Sequence, residues 1–192
     1  MWIFLLIAVI IAVIIYPYIA VAIYRYRAIA QLRVKLRHIG GRMRVLRTFA
    51  CLCANRSSKY DLLVEKNDIL YAVKFWSCAH KNTDLRIYPD GRVGEERTYK
   101  EPMTPKGRVG DKNKSARYSA RQVNKTVYNF KTPNGKKIIN ILLIYPSYRN
   151  VILERNGEEK IMQSGDVFFD KIMLTPYAFL KMLSDPDENK NE

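Results

Sequence analysis

The longest apolar run in the chain lies at its amino terminus. Residues 1–24 carry no charged side chain and consist mostly of Ile, Leu, Val and Ala. A helix of about 20 apolar residues crosses a bilayer, so this run predicts a transmembrane helix over residues 1–24. Pro17 lies inside the run and predicts a kink. The aromatic residues of the run can lie near the membrane interfaces, and they are Trp2, Tyr16, Tyr18 and Tyr24.

A cleaved signal peptide is the other interpretation of this run. Ala20-Val21-Ala22 has the small-x-small pattern of a cleavage site. Signal peptides, however, begin with a basic segment and have a shorter apolar core, and the run has neither feature. We therefore favour a retained membrane anchor.

A dense basic segment follows the apolar run, and no acidic residue occurs before Asp61. Positive charges beside a span remain on the cytoplasmic side, which predicts an amino terminus outside and a cytoplasmic remainder. The same side chains can bind anionic lipid headgroups, at about 1 kcal/mol each, but topology alone explains most of them. These residues are Arg25, Arg27, Arg33, Lys35, Arg37, Arg42, Arg44 and Arg47.

Residues 25–50 also show helical periodicity. Apolar residues recur at helical spacing, and Gly40-Gly41 interrupts the pattern. We therefore predict a basic juxtamembrane helix or linker over residues 25–50 that leads from the membrane to the following domain. The apolar positions are Leu32, Leu36, Ile39, Met43 and Leu46.

Residues 60–76 form two runs in which side chains alternate between two faces, one of them apolar, and this pattern predicts two antiparallel strands. Asn67-Asp68 tolerates positive φ and predicts a two-residue turn between the strands. The register that this turn imposes places Asp61 opposite Lys74, on the same face as Ala72. The other face is almost entirely apolar, and it carries Leu62, Val64, Ile69, Tyr71, Val73 and Phe75.

This arrangement resembles the metal-dependent nucleases of the PD-(D/E)XK superfamily, and most closely their nuclease-related (NERD-like) branch. Asp61 matches the first acid of that motif and Lys74 matches its lysine, whereas Ala72 stands where the middle carboxylate is expected. In the family, the two acids coordinate a divalent cation and the lysine stabilises charge near the attacked phosphate. The resemblance therefore implies a restriction-endonuclease-like fold, with Asp61 as the remaining metal ligand.

Three functions are open at this point. The first is a membrane-anchored, catalytically inactive nuclease-like module that binds nucleic acid or a protein partner and needs no cofactor. The second is an active Mg²⁺- or Mn²⁺-dependent nuclease in which Glu95, Glu96 or Glu101 replaces the missing acid. The third is a membrane interaction subunit that binds anionic lipid and no nucleic acid. We favour the first, because Ala72 offers a methyl group where a ligand oxygen is needed.

The net charge of +15 in 192 residues favours polyanionic partners, either nucleic acid or an anionic membrane surface. Three cysteines do not make a disulfide framework and favour a reducing compartment. Cys51, Cys53, Cys78 and His80 flank the hairpin in two pairs and form a candidate structural zinc site. Paired zinc ligands are usually about two to four residues apart, so small buried thiols are the favoured interpretation.

Residues 116–130 predict a basic helix. Their apolar residues recur at helical spacing, and these are Ala116, Ala120, Val123, Val127 and Phe130. The basic residues around this stripe form a candidate nucleic-acid-binding face, and they are Lys112, Lys114, Arg117, Arg121 and Lys125.

The rest of the chain completes one predicted α/β domain over residues 51–184, with a mixed sheet and flanking helices. Residues 138–145 form a continuous apolar run, which is typical of a central strand covered on both faces. Residues 185–192 are a polar tail that we expect to fray. The other predicted elements are hairpins around Pro89-Asp90-Gly91 and Asn156-Gly157 and a helix beginning at Pro176.

Overall fold

The computed structural model describes residues 2–46, 55, 60–78, 82–97, 115–123 and 136–184. Within these ranges the chain forms two helices and eleven strands. The helices are α1, Trp2–His38, and α2, Pro176–Ser184. The strands are β1 Arg42–Val45, β2 Leu62–Lys66, β3 Ile69–Trp76, β4 Thr83–Ile87, β5 Arg92–Arg97, β6 Ser115–Gln122, β7 Lys137–Ile144, β8 Val151–Arg155, β9 Glu158–Ile161, β10 Val167–Phe168 and β11 Lys171–Leu174.

Helix α1 has two parts with different surroundings. From Trp2 to Ala20 no side chain is buried in the protein. This part is long and apolar enough to cross a membrane, a property that a signal sequence shares. After Ala20 the helix buries a stripe of side chains at helical spacing, and the stripe consists of Val21, Ala22, Arg25, Ala28, Ile29, Leu32 and Leu36. One helix therefore provides both a candidate span and part of the domain core.

The helix stops at the predicted glycine pair. Gly40 has a φ of 75°, and a Cβ atom on Gly41 would come within 2.6 Å of the Leu36 side chain. The chain then enters β1, whereas the sequence predicted a helix or linker over residues 25–50, interrupted at Gly40-Gly41. A strand forms here because β1 pairs with β2, and this pairing gives the backbone N–H and C=O groups of β1 hydrogen-bond partners. The described part of the predicted linker, residues 25–46, is thus helix and strand packed into the domain.

The larger sheet has six strands in the order β1-β2-β3-β7-β11-β10. Strands β1, β2 and β3 pair antiparallel with one another, β7 runs parallel to both β3 and β11, and β10 is antiparallel to β11. Strand β7 is the predicted central strand, and this prediction is confirmed. Its residues Ile141 and Leu143 pack towards the helices, and Leu142 and Ile144 pack towards the second sheet.

The smaller sheet has five strands in the order β6-β5-β4-β8-β9. The predicted hairpins are both present here, as β4–β5 and β8–β9, and β4 pairs with β8 in parallel. The second turn is Asn156-Gly157, where φ is 54° and 82°. Positive φ at both positions is what a tight two-residue hairpin turn requires.

The three layers are the helices, the six-stranded sheet and the five-stranded sheet. One core lies between the helices and the six-stranded sheet, and its most buried members include Leu32, Leu36, Val73, Phe75 and Phe179. The other core lies between the two sheets, and it includes Trp76, Leu85, Ile87, Leu142 and Met173. Strand β3 contributes to both cores because its side chains alternate between the two faces. The observed class is mixed α/β with two mixed sheets, whereas a single mixed sheet was predicted.

The predicted helix over residues 116–130 is wrong for the part that the structure describes. Residues 115–122 form β6, which is antiparallel to β5. Ala116, Tyr118 and Ala120 alternate with polar residues, so this sequence fits a period of two as well as a helical period. Pairing with β5 decides between the two patterns, because strand preference depends on the neighbouring strand. Residues 124–130 lie outside the described residues.

Strand β11 has no counterpart among the predicted elements. It is four residues long and begins with a charged residue, Lys171, so no apolar alternation marks it in the sequence. Its position comes from parallel pairing with β7, in which Met173 lies beside Leu142. The predicted helix start after it is confirmed, because the Ala178 N–H donates to Thr175 Oγ1 at 3.2 Å and caps α2.

Candidate functional site

The hairpin that carries Asp61 and Lys74 has the predicted register and turn. Strands β2 and β3 pair as expected, and Asn67 and Asp68 have φ of 46° and 53°. Asp61 immediately precedes β2, and its carboxylate Oδ2 accepts a hydrogen bond from the Phe75 N–H at 2.8 Å. The Asp61 carboxylate therefore fastens the beginning of β2 to the end of β3.

Both motif residues are buried. Asp61 is 0% exposed, Lys74 is 1% exposed, and Ala72 between them is 0% exposed. A phosphodiester that approaches from solvent does not reach side chains in such positions. The geometry thus favours a structural use of this acid and this lysine over direct contact with a substrate.

The position of the missing acid has polar neighbours on the adjacent strands. Ala72 on β3 lies beside Asn140 on β7, which lies beside Lys171 on β11. Partners in parallel strands share a face, so these three residues point to the same side as Lys74. The Tyr60 hydroxyl donates to Asn140 Oδ1 at 2.8 Å. The inner face of the six-stranded sheet is therefore polar around Ala72.

Asp170, which was not among the predicted site residues, completes this polar cluster. Asn140 Nδ2 donates to Asp170 Oδ2 at 2.8 Å, and the Lys171 ammonium forms an ion pair with Asp170 Oδ1. Lys171 is fully buried, whereas the Asp170 side chain is about half exposed. The only sequence signal was an acid next to a lysine, which is too common to single out. Asn140 lies beside Ala72 and donates to Asp170, so this hydrogen bond connects the Asp170 carboxylate to the surroundings of Ala72.

The acids that were predicted as replacements are engaged elsewhere. Glu95 accepts a hydrogen bond from the Tyr148 hydroxyl at 2.8 Å, and Glu96 pairs with Arg86 at 3.5 Å. Burial, and then the Glu95 carboxylate, raise the pKa of Tyr148 well above its ordinary value, so the phenol stays protonated and donates. Glu101 lies outside the described residues.

The residues that the structure describes do not fit a divalent cation. No three of their His, Cys, Asp or Glu side chains converge on one point. A site for a divalent cation needs several oxygen ligands around the ion. The Asp61 carboxylate is instead buried and accepts a hydrogen bond from the Phe75 N–H. The zinc prediction stays untested, because Cys51, Cys53 and His80 lie outside the described ranges. Cys78 is buried in the core between the sheets.

Only some of the predicted nucleic-acid-binding residues lie within the described ranges. Arg117 and Arg121 lie on β6, at the edge of the five-stranded sheet. Lys112, Lys114 and Lys125 lie outside the described residues. Other exposed basic residues lie where α1 ends and β1 begins, with Arg42 beside Glu65 of β2, and these residues are Arg33, Lys35, Arg37, Arg42 and Arg44. We call these five residues the α1–β1 basic surface.

A buried arginine connects α1 to the six-stranded sheet. Arg25 is 0% exposed, its Nε donates to Ser77 Oγ at 2.6 Å, and its Nη2 donates to Asn55 Oδ1. Asn55 in turn accepts from the Ser77 N–H and donates to the Ser77 carbonyl, both at 2.9 Å. The guanidinium also lies over the Phe75 ring, 5.8 Å from its centroid. These contacts set the rotation and depth at which α1 lies on the sheet.

The buried arginine gives a test of how α1 is attached. Arg25→Met keeps an unbranched side chain but removes the donors to Ser77 and Asn55, so we expect a loss of about 1–3 kcal/mol of unfolding free energy. Arg27→Met is the matched control, because Arg27 is exposed on the same turn, and it should change stability by less than about 0.5 kcal/mol. Denaturant unfolding of the full chain in detergent, followed by fluorescence, measures both. Equal effects of the two substitutions would show that the network does not hold the helix.

Comparison with known proteins adds no family to this description. No protein family, curated protein or solved structure matches the chain. The nuclease resemblance therefore rests only on Asp61, Lys74 and the hairpin that carries them.

Proposed function

We propose that the chain is a single-pass membrane protein whose cytoplasmic domain has a degenerate nuclease-like fold and binds nucleic acid without cleaving it. The observation that carries the proposal is the position of the α1–β1 basic surface. It is exposed, it belongs to a segment with no acidic residue before Asp61, and it lies away from the end at which the helix leaves the domain.

The packing of α1 supports a retained anchor over a cleaved signal. Val21 and Ala22 are buried against the domain, within a helix that continues to His38. A signal peptidase needs an accessible site, whereas the small-x-small pattern at residues 20–22 is helical and partly covered. Cleavage there would also separate the span from a stripe that continues to Leu36.

The orientation follows from charge. Every basic residue of α1 lies on the carboxyl side of the apolar part, and such residues are retained in the cytoplasm. An impermeant thiol reagent applied to intact cells tests this. Trp2→Cys should be labelled directly, and Glu158→Cys, which is exposed in β9, should be labelled only after permeabilisation. Labelling of Glu158→Cys above the parent protein in intact cells would reverse the assignment.

Distance argues for a soluble polyanion over the anchor's own lipid headgroups. Arg37 lies 13 residues beyond Tyr24, which is about 20 Å along a helix. The Debye length is only about 8 Å at physiological ionic strength, so headgroups at the helix exit attract this end of the surface weakly. Nucleic acid in the cytoplasm can reach it freely, and phosphate contacts of this type need no base recognition.

Nucleic-acid binding is expected to be weak, independent of sequence and strongly dependent on salt. Reversing two charges of the basic surface, Arg37→Glu with Arg44→Glu, should lower affinity at least about tenfold and reduce the salt slope by about 2, since each phosphate contact contributes about 0.9. Arg155→Glu with Lys160→Glu changes the net charge equally at exposed sites on the β8–β9 hairpin of the five-stranded sheet and should have a smaller effect. Anisotropy of labelled oligonucleotides with the full chain in zwitterionic nanodiscs measures both.

The control decides what a loss of affinity means. If both double variants lose affinity equally, the attraction comes from overall charge and not from the α1–β1 basic surface. If the parent protein binds no oligonucleotide at low salt, the proposal fails and a protein partner becomes the better explanation.

Lack of cleavage follows from the buried motif. The parent protein should not nick plasmid DNA or cut RNA with Mg²⁺ or Mn²⁺ beyond the level of Asp61→Asn, because Asp61 is held by a backbone amide and Ala72 supplies no ligand. Asp170→Asn tests the carboxylate beside Asn140, and Asp68→Asn is a control at the exposed turn. Cleavage that Asp61→Asn or Asp170→Asn abolishes and Asp68→Asn retains would make the protein an active nuclease with a relocated acid.

A further inference from the structure

The strand directions show which end of the domain faces the anchor. Strands β3, β7 and β11 are parallel, so their carboxyl ends share one edge of the sheet. Arg25 bonds to Ser77, immediately after β3, and the Tyr24 ring lies 6.3 Å from the Tyr145 ring, immediately after β7. The other end of α1 lies at the opposite edge, where Leu36 meets Gly41. The anchor therefore enters the domain at the carboxyl edge of the parallel strands.

Four tyrosines lie at this edge, and we call them the tyrosine rim: Tyr24, Tyr26, Tyr145 and Tyr177. Tyr26 is 59% exposed and Tyr177, which follows β11 at the start of α2, is 79% exposed. Tyr24 is also exposed, at 43%, and Tyr145 is half-buried beside it. An apolar ring with a polar hydroxyl is the type of side chain that is enriched at membrane interfaces.

No linker separates the span from this edge. The part of α1 before Val21 is about 28 Å long, which covers a hydrocarbon core of about 30 Å with nothing left over. The headgroup layer extends only about 5–7 Å beyond that core. Because Val21 is already buried in the domain, the surface around the helix exit has to lie within this layer.

We propose that the tyrosine rim is a membrane-contacting surface, on which the domain rests in the headgroup layer of the bilayer that holds its own anchor. This inference rests on the proposed membrane anchoring and adds the face that touches lipid. The Arg25 contacts hold α1 at one rotation, so the same edge faces the bilayer in every molecule. The α1–β1 basic surface then points away from the membrane, where a soluble polyanion can reach it.

Depth-dependent quenching by brominated lipids tests the contact in the full chain. In a Trp2→Phe background the buried Trp76 gives a constant signal, and Tyr177→Trp adds a reporter at the rim. Lys137→Trp is the matched control, because Lys137 is exposed at the beginning of β7, at the far edge. In vesicles brominated near the headgroup end of the acyl chains, we expect Tyr177→Trp to lose about half of its added fluorescence and Lys137→Trp about a tenth or less.

Flotation of the same vesicles separates the two proposals. If the chain floats and the reporter at residue 177 is quenched no more than the one at residue 137, the membrane contact is wrong and the anchor stands. If the chain does not float, the proposed anchoring fails and the membrane contact fails with it. An unchanged circular dichroism spectrum of both variants shows that each retains the fold of the parent protein.

Discussion

A single helix in this protein has to satisfy two solvents, and the rest of the structure depends on how it does so. In lipid a helix is stable with apolar side chains on every side, whereas a helix packed on a sheet needs one apolar stripe. Helix α1 changes from the first pattern to the second near Val21 without a break in the backbone. The layer order follows from this change, because the stripe that ends at Leu36 forms much of the core above the six-stranded sheet.

Buried polar groups define the arrangement of the elements more than they stabilise it. Removing Lys74 or Lys171 from water is costly, and buried ion pairs usually return only part of that cost. Such groups do exclude alternative strand registers and helix rotations. A shift of the β2–β3 register by one residue would move Lys74 into the core that holds Phe75 and Val73, so the charged face enforces the observed pairing. The same reasoning applies to Arg25, which can find its partners at only one rotation of α1.

The elements that the sequence predicted are those whose signals are local. The turn at Asn67-Asp68, the apolar run of β7 and the cap at Thr175 each depend on a few adjacent residues, and each is present. Strand β6 was missed because its alanines fit two periods at once, and only the partner strand β5 distinguishes them. Strand β11 was missed because its residues are placed by β7, which precedes it by some thirty positions.

The candidate site shows the same limit. Asp61 and Lys74 could be assigned to one face from periodicity alone, but their burial depends on packing against parts of the chain that are distant in the sequence. Asp170 could not be found because Asn140 connects it to Ala72 across three strands. These two facts are linked. With a methyl group at residue 72, no acid on β3 competes for the Lys171 ammonium, which pairs with Asp170 at the open side of the sheet. An acid at position 72 would face this lysine and Lys74 together, so both ammonium groups would favour its ionised form.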